Sequence, residues 1–177
     1  MAEVQREAHR DKLTLLYALL HLGPCTEDQL VRFNDAYSMM EQFQLYVTLG
    51  ELRDAQMIVE EQRLERKLLS VTEEGKNMLS MFGEDVWPSS KIQVDNNAAE
   101  WKHMIRDELQ MPAEWQRQGN EYRVTLRLLE NDNEIFNLSM MAVDRQQAVD
   151  FCRRWPKQAS FLYRTIMEKL GEEQENQ

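Results

Sequence analysis

Apolar residues in the first quarter of the chain recur with a helical period, and they predict two short helices separated by a turn. Residues 11–22 repeat leucines on one face, and Gly23-Pro24 ends that helix. Thr26 followed by Gln29 is typical of a capping box, in which side chain and backbone satisfy each other at a helix start. Apolar Leu30 and Phe33 then give the second helix a buried face.

A third helix of about four turns is predicted after a polar turn at residues 34–37, with Ser38 and Glu41 as a second capping box. Its periodicity separates a buried side from an exposed side. The buried side is predicted to hold Leu45, Leu49 and Leu52, extended by Phe43, Tyr46 and Gly50. The exposed side is predicted to hold Glu41, Gln44, Val47, Thr48, Glu51 and Asp54.

The pattern then changes to short apolar runs at residues 57–59 and 68–71, separated by the highly charged stretch 60–67. Two such runs around a polar stretch predict a β-hairpin. Thr72 is placed to cap a following helix, whose apolar side is Met78, Leu79 and Phe82.

The second half of the chain alternates apolar and polar residues with period 2, which predicts three strands after a helix from about Ser89 to about His103. The alternation runs through Leu109, Met111, Ala113 and Trp115, then Tyr122 to Leu128, then Phe136 to Ala142. Two closing helices, separated by Pro156, are predicted to cover the apolar face of this meander.

These elements predict an α+β protein with two domains. Residues 1–85 are predicted to form a winged helix-turn-helix, and residues 86–177 a small domain with a three-stranded antiparallel sheet covered by helices. The linker between them is predicted at residues 83–90, around Trp87-Pro88-Ser89-Ser90.

One stretch carries a family resemblance. Leu49-x-x-Leu52, then Met57-Ile58, then Leu69-Ser70-Val71-Thr72-Glu73-Glu74-Gly75-Lys76 resembles the recognition helix, wing and following helix start of MarR- and PadR-like bacterial regulators. The resemblance covers about residues 10–83. The whole chain is similar to an uncharacterised bacterial family that pairs a winged helix with a C-terminal domain of unknown function. This resemblance implies a transcription regulator and supplies no catalytic residues.

The charge balance complicates DNA binding. The 177 residues carry a net charge of -10, and residues 1–85 hold nine basic against sixteen acidic side chains, a net of -7. Phosphate contacts require Lys and Arg, so the distribution of cations decides the question. Gln44 and Thr48 on the third helix, with Arg63, Arg66 and Lys67 on the wing, are the candidate DNA-binding residues. The wing cations also have a plainer interpretation, as partners of neighbouring Glu60, Glu61 and Glu65.

Other chemistry finds little support in the sequence. The two cysteines and three histidines lack metal-ligand spacing, so neither a disulfide framework nor a metal site is predicted. Cys25 precedes a helix start, where a thiolate sensor is one interpretation and an ordinary loop cysteine the other. No catalytic residues, enzyme activity or cofactor is predicted. Aromatic and Met side chains of the second domain either line an effector pocket or form its core: Trp101, Trp115, Tyr122, Phe136, Met140, Met141 and Trp155.

Two functions follow from these observations. The first is a DNA-binding transcription regulator, acting as a homodimer whose second domain dimerises through its sheet or last helix, or senses an effector. The alternative is a protein-protein interaction module on a winged-helix fold that does not bind DNA. Because the longest apolar run near the start, residues 13–22, is too short for a membrane span, a cytoplasmic protein without a signal peptide is predicted.

Overall fold

The computed structural model describes residues 2–63 and 66–171, and the chain divides into two compact units. The N-terminal unit comprises residues 1–105 and the C-terminal unit residues 106–177. The sequence places the domain boundary at residue 85, within the predicted linker 83–90, whereas this division lies 20 residues later, because most of the helix that follows the linker belongs to the N-terminal unit. The α+β class is confirmed.

The N-terminal unit contains three helices, a hairpin and two further helices. They are α1 (Ala2–Leu22), α2 (Glu27–Tyr37), α3 (Gln42–Asp54), β1 (Ile58–Arg63), β2 (Arg66–Val71), α4 (Glu73–Phe82) and the first part of α5 (Pro88–Gln110). Strands β1 and β2 are antiparallel, with Ile58 opposite Val71 and Arg63 opposite Arg66. The order of helices and hairpin that the sequence predicted is therefore observed, although α1 starts nine residues earlier than its apolar repeat indicated.

The segment between α1 and α2 joins the hairpin. Cys25 and Leu69 form an isolated antiparallel bridge, in which the Cys25 N–H donates to the Leu69 carbonyl (3.3 Å) and the Leu69 N–H donates to the Cys25 carbonyl (2.8 Å). These bonds fix the hairpin to the start of α2. The core beneath them is apolar and fully buried, and includes Leu13, Leu16, Leu19, Phe33 and Leu49.

Of the two predicted capping boxes, the first is confirmed and the second is wrong. Thr26 and Gln29 exchange both capping hydrogen bonds at the start of α2. Ser38 instead ends α2 in the left-handed region (φ 48°), and α3 begins at Gln42 without a side-chain cap at Glu41. The turn is held by buried Asn34, whose amide donates to the Met40 carbonyl (2.9 Å) and accepts from the Met40 N–H (3.1 Å).

The C-terminal unit is a three-stranded antiparallel sheet in the order β3-β4-β5, covered by one long helix. Its elements are β3 (Ala113–Gln118), β4 (Glu121–Glu130), β5 (Asn133–Ala142) and α6 (Arg145–Gly171). The first strand is shorter than predicted, because α5 continues through Leu109 and Met111 donates a helical bond to the Asp107 carbonyl (2.8 Å). Alternation of Leu109 and Met111 with their neighbours therefore belongs to a helix end and not to a strand.

The predicted break at Pro156 is also wrong, since α6 runs through it as a single helix of 27 residues. Proline removes one backbone donor from a helix. Burial on both sides of the proline offsets that loss, because Ala148, Trp155 and Ala159 are all essentially inaccessible. The Trp155 indole also donates to the Arg127 carbonyl on β4 (2.8 Å), which ties the helix to the sheet beside the proline. No helix in the described residues is long and apolar enough to cross a membrane.

Candidate functional site

Helix α3 packs on the N-terminal core through Leu45, Leu49 and Leu52, each 1% exposed or less. Thr48, three residues after Leu45 and four before Leu52, shares this side and is 1% exposed. Its assignment to the exposed face is therefore wrong, and its hydroxyl accepts a hydrogen bond from the Gln44 amide (3.3 Å). A base or phosphate of DNA cannot reach Thr48 in this conformation, and Gln44 is only partly exposed.

The outward face of α3 is apolar in its first two turns. Phe43 is 77% exposed, Tyr46 45% and Val47 38%, whereas the sequence pattern had placed Phe43 and Tyr46 on the buried side. Gly50 continues the same face one turn later, with no atom within 4 Å of the position a Cβ would occupy. We call Phe43, Tyr46, Val47 and Gly50 the α3 face. A cluster of large apolar side chains on one exposed helix face is uncommon unless it meets a partner.

Acidic side chains continue the α3 face towards the end of the helix. Glu51 and Asp54 are exposed, and Glu51 pairs with Lys12 of α1 (3.0 Å). Arg53 is the one basic residue of α3, and its guanidinium is held by Glu27 (2.5 Å) and Glu60 (2.7 Å). Burial lowers the pKa of Arg53, but Glu27 and Glu60 outweigh that effect and raise it overall.

The hairpin brings the three predicted wing cations together. Arg63 and Arg66 are opposite each other across the two strands, and Lys67 follows directly. Carboxylates lie beside two of them, with Glu61 at 3.6 Å from Arg63 and Glu60 at 3.9 Å from Lys67. The side chain of Lys67 is 74% exposed, so its long ion pair with Glu60 leaves it accessible. The plainer interpretation of these cations therefore describes Arg63 better than Lys67.

Neither cysteine is positioned as a nucleophile. Cys25 is completely buried, and burial raises the pKa of its thiol to about 12. Burial, followed by the nearby Glu114 carboxylate, raises the pKa of Cys152 as well. A reactive thiolate needs the opposite shift. Among the described residues, no group of three His, Cys, Asp or Glu side chains is close enough to hold a metal ion.

The aromatic residues of the second half serve mainly as core. Trp155 is 1% exposed, with Phe136 stacked at 6.1 Å between ring centroids, and Trp115, Tyr122 and Met140 pack against the same cluster. Trp101 belongs to the N-terminal unit, where its indole donates to the Tyr37 hydroxyl (3.0 Å). Met141 is 42% exposed. Five of the seven candidate pocket residues thus belong to the core of the C-terminal unit or pack against it.

Comparisons with known proteins place the chain in a family. No curated protein and no solved structure matches it. The model of one family matches residues 11–170, which include both compact units except for their outermost residues. The chain therefore belongs to the family described as Domain of unknown function (DUF4364).

Proposed function

We propose that the N-terminal unit is a winged helix that docks a protein partner through the α3 face. The order of three helices, a hairpin and a helix supports the winged-helix assignment. So does the pair of backbone bonds between Cys25 and Leu69, because it holds the hairpin against the segment that leads into the second helix.

The exposure of Phe43, Tyr46 and Val47 on the α3 face carries the proposal. Aromatic side chains are enriched at the centres of protein interfaces, where their large apolar area is removed from water. Gly50 adds a flat patch beside them, so a partner side chain can approach the helix backbone. Base reading in a DNA groove requires hydrogen-bonding or cationic side chains instead.

The charges around the α3 face favour a protein over a polyanion. Glu51 and Asp54 extend the face, and the only cation on the helix is already bound by two carboxylates. Phosphates would meet repulsion along the line that a recognition helix follows in the major groove. A partner with apolar anchors and a basic border satisfies both parts of this surface.

The test is site-specific photo-crosslinking in cells that produce the full chain. A photoreactive residue at Val47 (38% exposed) should crosslink to one protein partner, and the same residue at Met81, a more exposed apolar position on α4 (72%), should not. A Phe43→Ser substitution should abolish the Val47 crosslink while leaving the circular dichroism spectrum unchanged, because Phe43 is mostly in solvent. Equal crosslinking from Val47 and Met81, or none from Val47, would show that this surface does not dock a protein.

A second candidate function is DNA-binding transcription regulation, and the exposed side chain of Lys67 favours it. Arg63 and Arg66 are opposite each other at the same end of the hairpin, so these two cations could touch one stretch of phosphates, with Lys67 next to them on the other face of the strand pair. The discriminating experiment is retention of mixed genomic DNA fragments at low and moderate salt. Selective retention that is lost in the Arg63→Ala, Arg66→Ala, Lys67→Ala variant supports the regulator; absence of retention at both salts leaves protein docking as the function of this fold.

A further inference from the structure

Strand β5 is an edge of the C-terminal sheet. The order β3-β4-β5 leaves β5 paired on one side with β4 and, within the described residues, with no strand on the other. Such an edge offers a row of backbone N–H and C=O groups to any strand that can align with it. The β5 edge is ten residues long, against six for β3 at the opposite edge.

The two edges differ in how they are protected against pairing. β3 follows Pro112 and carries Glu114 and Arg117, and such residues commonly block edge-to-edge association. From residue 135 to residue 142, β5 has neither a charged residue nor a proline. Its one irregularity is a bulge at Ile135, where the register with β4 shifts; residues 136–142 pair with β4 without interruption.

Apolar surface borders the β5 edge on both faces of the sheet. On the face away from α6, Met141 is 42% exposed, and Asn137 and Ser139 are exposed beside it. On the face towards α6, Phe136, Leu138 and Met140 pack against the core but are only half-buried. This surface continues onto α6. The Tyr163 ring lies 5.9 Å from that of Phe136, and Met167, one turn further on, is 54% exposed.

The residues of β5 complement themselves when the strand is reversed. If β5 is laid antiparallel on a second β5 with Leu138 at the centre, Leu138 faces Leu138, Phe136 faces Met140 and Asn137 faces Ser139. Apolar residues meet apolar ones on the α6 side, with a sulfur beside an aromatic ring, and two small polar residues meet on the other side. No like charges are opposed. The regular part of the strand, residues 136–140, carries all of these pairs.

We propose that two copies of this chain associate through their β5 edges, and that the two sheets form one antiparallel six-stranded sheet across a two-fold axis. Each copy supplies the same strand, so the interface is closed and leaves only the short, charged β3 edges outside. The partially exposed Phe136, Leu138 and Met140 of both copies come together under the new sheet, flanked by the two α6 helices. The partner of the C-terminal unit is therefore a second C-terminal unit.

The first test changes charge at the paired positions and measures mass by light scattering after size-exclusion chromatography. The wild-type chain should be a dimer. Asn137→Lys with Ser139→Lys puts like charges opposite each other twice across the two-fold axis, and should weaken the dimer by about tenfold or more. Asn137→Lys with Ser139→Glu puts a lysine opposite a glutamate twice and should keep the dimer. A monomeric wild type, or a lysine-lysine variant that dimerises as well as wild type, would overturn the proposal.

The second test measures the register of the β5–β5 pair and does not require a variant that weakens the dimer. In a Cys152→Ser background, chains with Asn137→Cys are mixed with chains with Ser139→Cys and oxidised. The mixture should form intermolecular disulfides at least about tenfold faster than either chain alone. In the proposed pairing, residue 137 of one copy lies directly opposite residue 139 of the other, whereas the two residues 137, like the two residues 139, lie diagonal to each other. Equal rates in the mixture and the separate chains would overturn the β5 pairing, even with a dimer present. Neither test involves the α3 face, so either proposal can fail without the other.

Discussion

Gly75 offers the sharpest test of the packing of the N-terminal unit. It lies in the first turn of α4, after the capping residue Thr72, whose hydroxyl accepts from the Gly75 N–H (3.2 Å). A Cβ at Gly75 would press onto the carbonyl oxygen of Met57 and would lie 2.7 Å from a methyl group of Val71. The Met57 carbonyl cannot simply retreat, because it accepts the Thr72 N–H (3.0 Å). The Gly75→Ala substitution therefore forces backbone to move.

The expected magnitude follows from the clash and from a matched control. Overpacking of this kind costs about 1–3 kcal/mol, and loss of the bond from Thr72 to Met57 adds about 1 kcal/mol. Gly50 lies in the interior of α3 with nothing within 4 Å of its Cβ position. There Gly50→Ala should stabilise the unit by about 0.5–1 kcal/mol, through helix propensity alone. The same chemical change should thus have opposite signs at the two glycines.

The assay must report on the N-terminal unit, because two units need not unfold together. Native-state hydrogen exchange of peptides from α1 and α4, with urea denaturation of the same proteins, gives the free energy of unfolding of this unit. Faster exchange in Gly75→Ala and slower exchange in Gly50→Ala are expected. Wild-type stability in Gly75→Ala, or a shift of the same sign in both variants, would refute the close approach of α4 to the Met57 carbonyl.

Three further predictions concern other parts of the fold. A thiol reagent at pH 8 should label Cys152 well before Cys25 in the native protein. Burial raises the pKa of the Cys25 thiol to about 12, which leaves about a thousandfold less thiolate than an ordinary thiol has. Comparable labelling rates of the two cysteines would contradict the burial of Cys25. Asn34→Ala should lower the free energy of unfolding of the N-terminal unit, measured in urea, by about 1–3 kcal/mol. The reason is that the backbone of Met40 loses both of its hydrogen bonds with the Asn34 side chain. An unchanged urea midpoint would show that the turn does not depend on these two bonds. Pro156→Ala should stabilise the C-terminal unit by up to about 3 kcal/mol in thermal unfolding, because the new N–H restores a helical hydrogen bond within α6. A loss of stability would instead show that the proline ring contributes to packing.

Sequence periodicity predicted much of the local structure of this chain. The leucines of α1 and α3, the capping box at Thr26, the charged hairpin and the alternating strands β4 and β5 all appear where the pattern indicated. These features depend on neighbours three or four residues apart in a helix, or two apart in a strand, so the sequence itself contains the signal. The pattern failed at Leu109 and Met111, because an alternation over about four residues is compatible with a helix end as well as with a strand.

Functional surfaces were predicted less well, because exposure depends on contacts between distant segments. Periodicity placed Phe43 and Tyr46 inside and Thr48 outside, whereas the packing of α3 on the core reversed all three. The hairpin cations are evident from the sequence, but it leaves open whether they pair with neighbouring glutamates, and the structure shows Arg63 beside Glu61 and Lys67 beside Glu60. The sequence contains one signal for the role of Asn34 in holding the turn, namely a polar residue in the last turn of a helix. That signal is too common to identify Asn34 among other residues.

The sequence by itself thus determined the class, order and type of the elements, because hydrophobic period and capping act over a few residues. The tertiary structure decided which side of α3 meets water, why position 75 is glycine, and that Pro156 lies within one helix. Each of these depends on atoms from other segments: helix α1, which packs against α3, the Met57 carbonyl beside Gly75, and the Arg127 carbonyl that holds Trp155. On α3, each buried leucine contributes more free energy than a local helix propensity of under about 1 kcal/mol, and at Pro156 the burial and hydrogen bond of Trp155 offset a proline cost of up to about 3 kcal/mol.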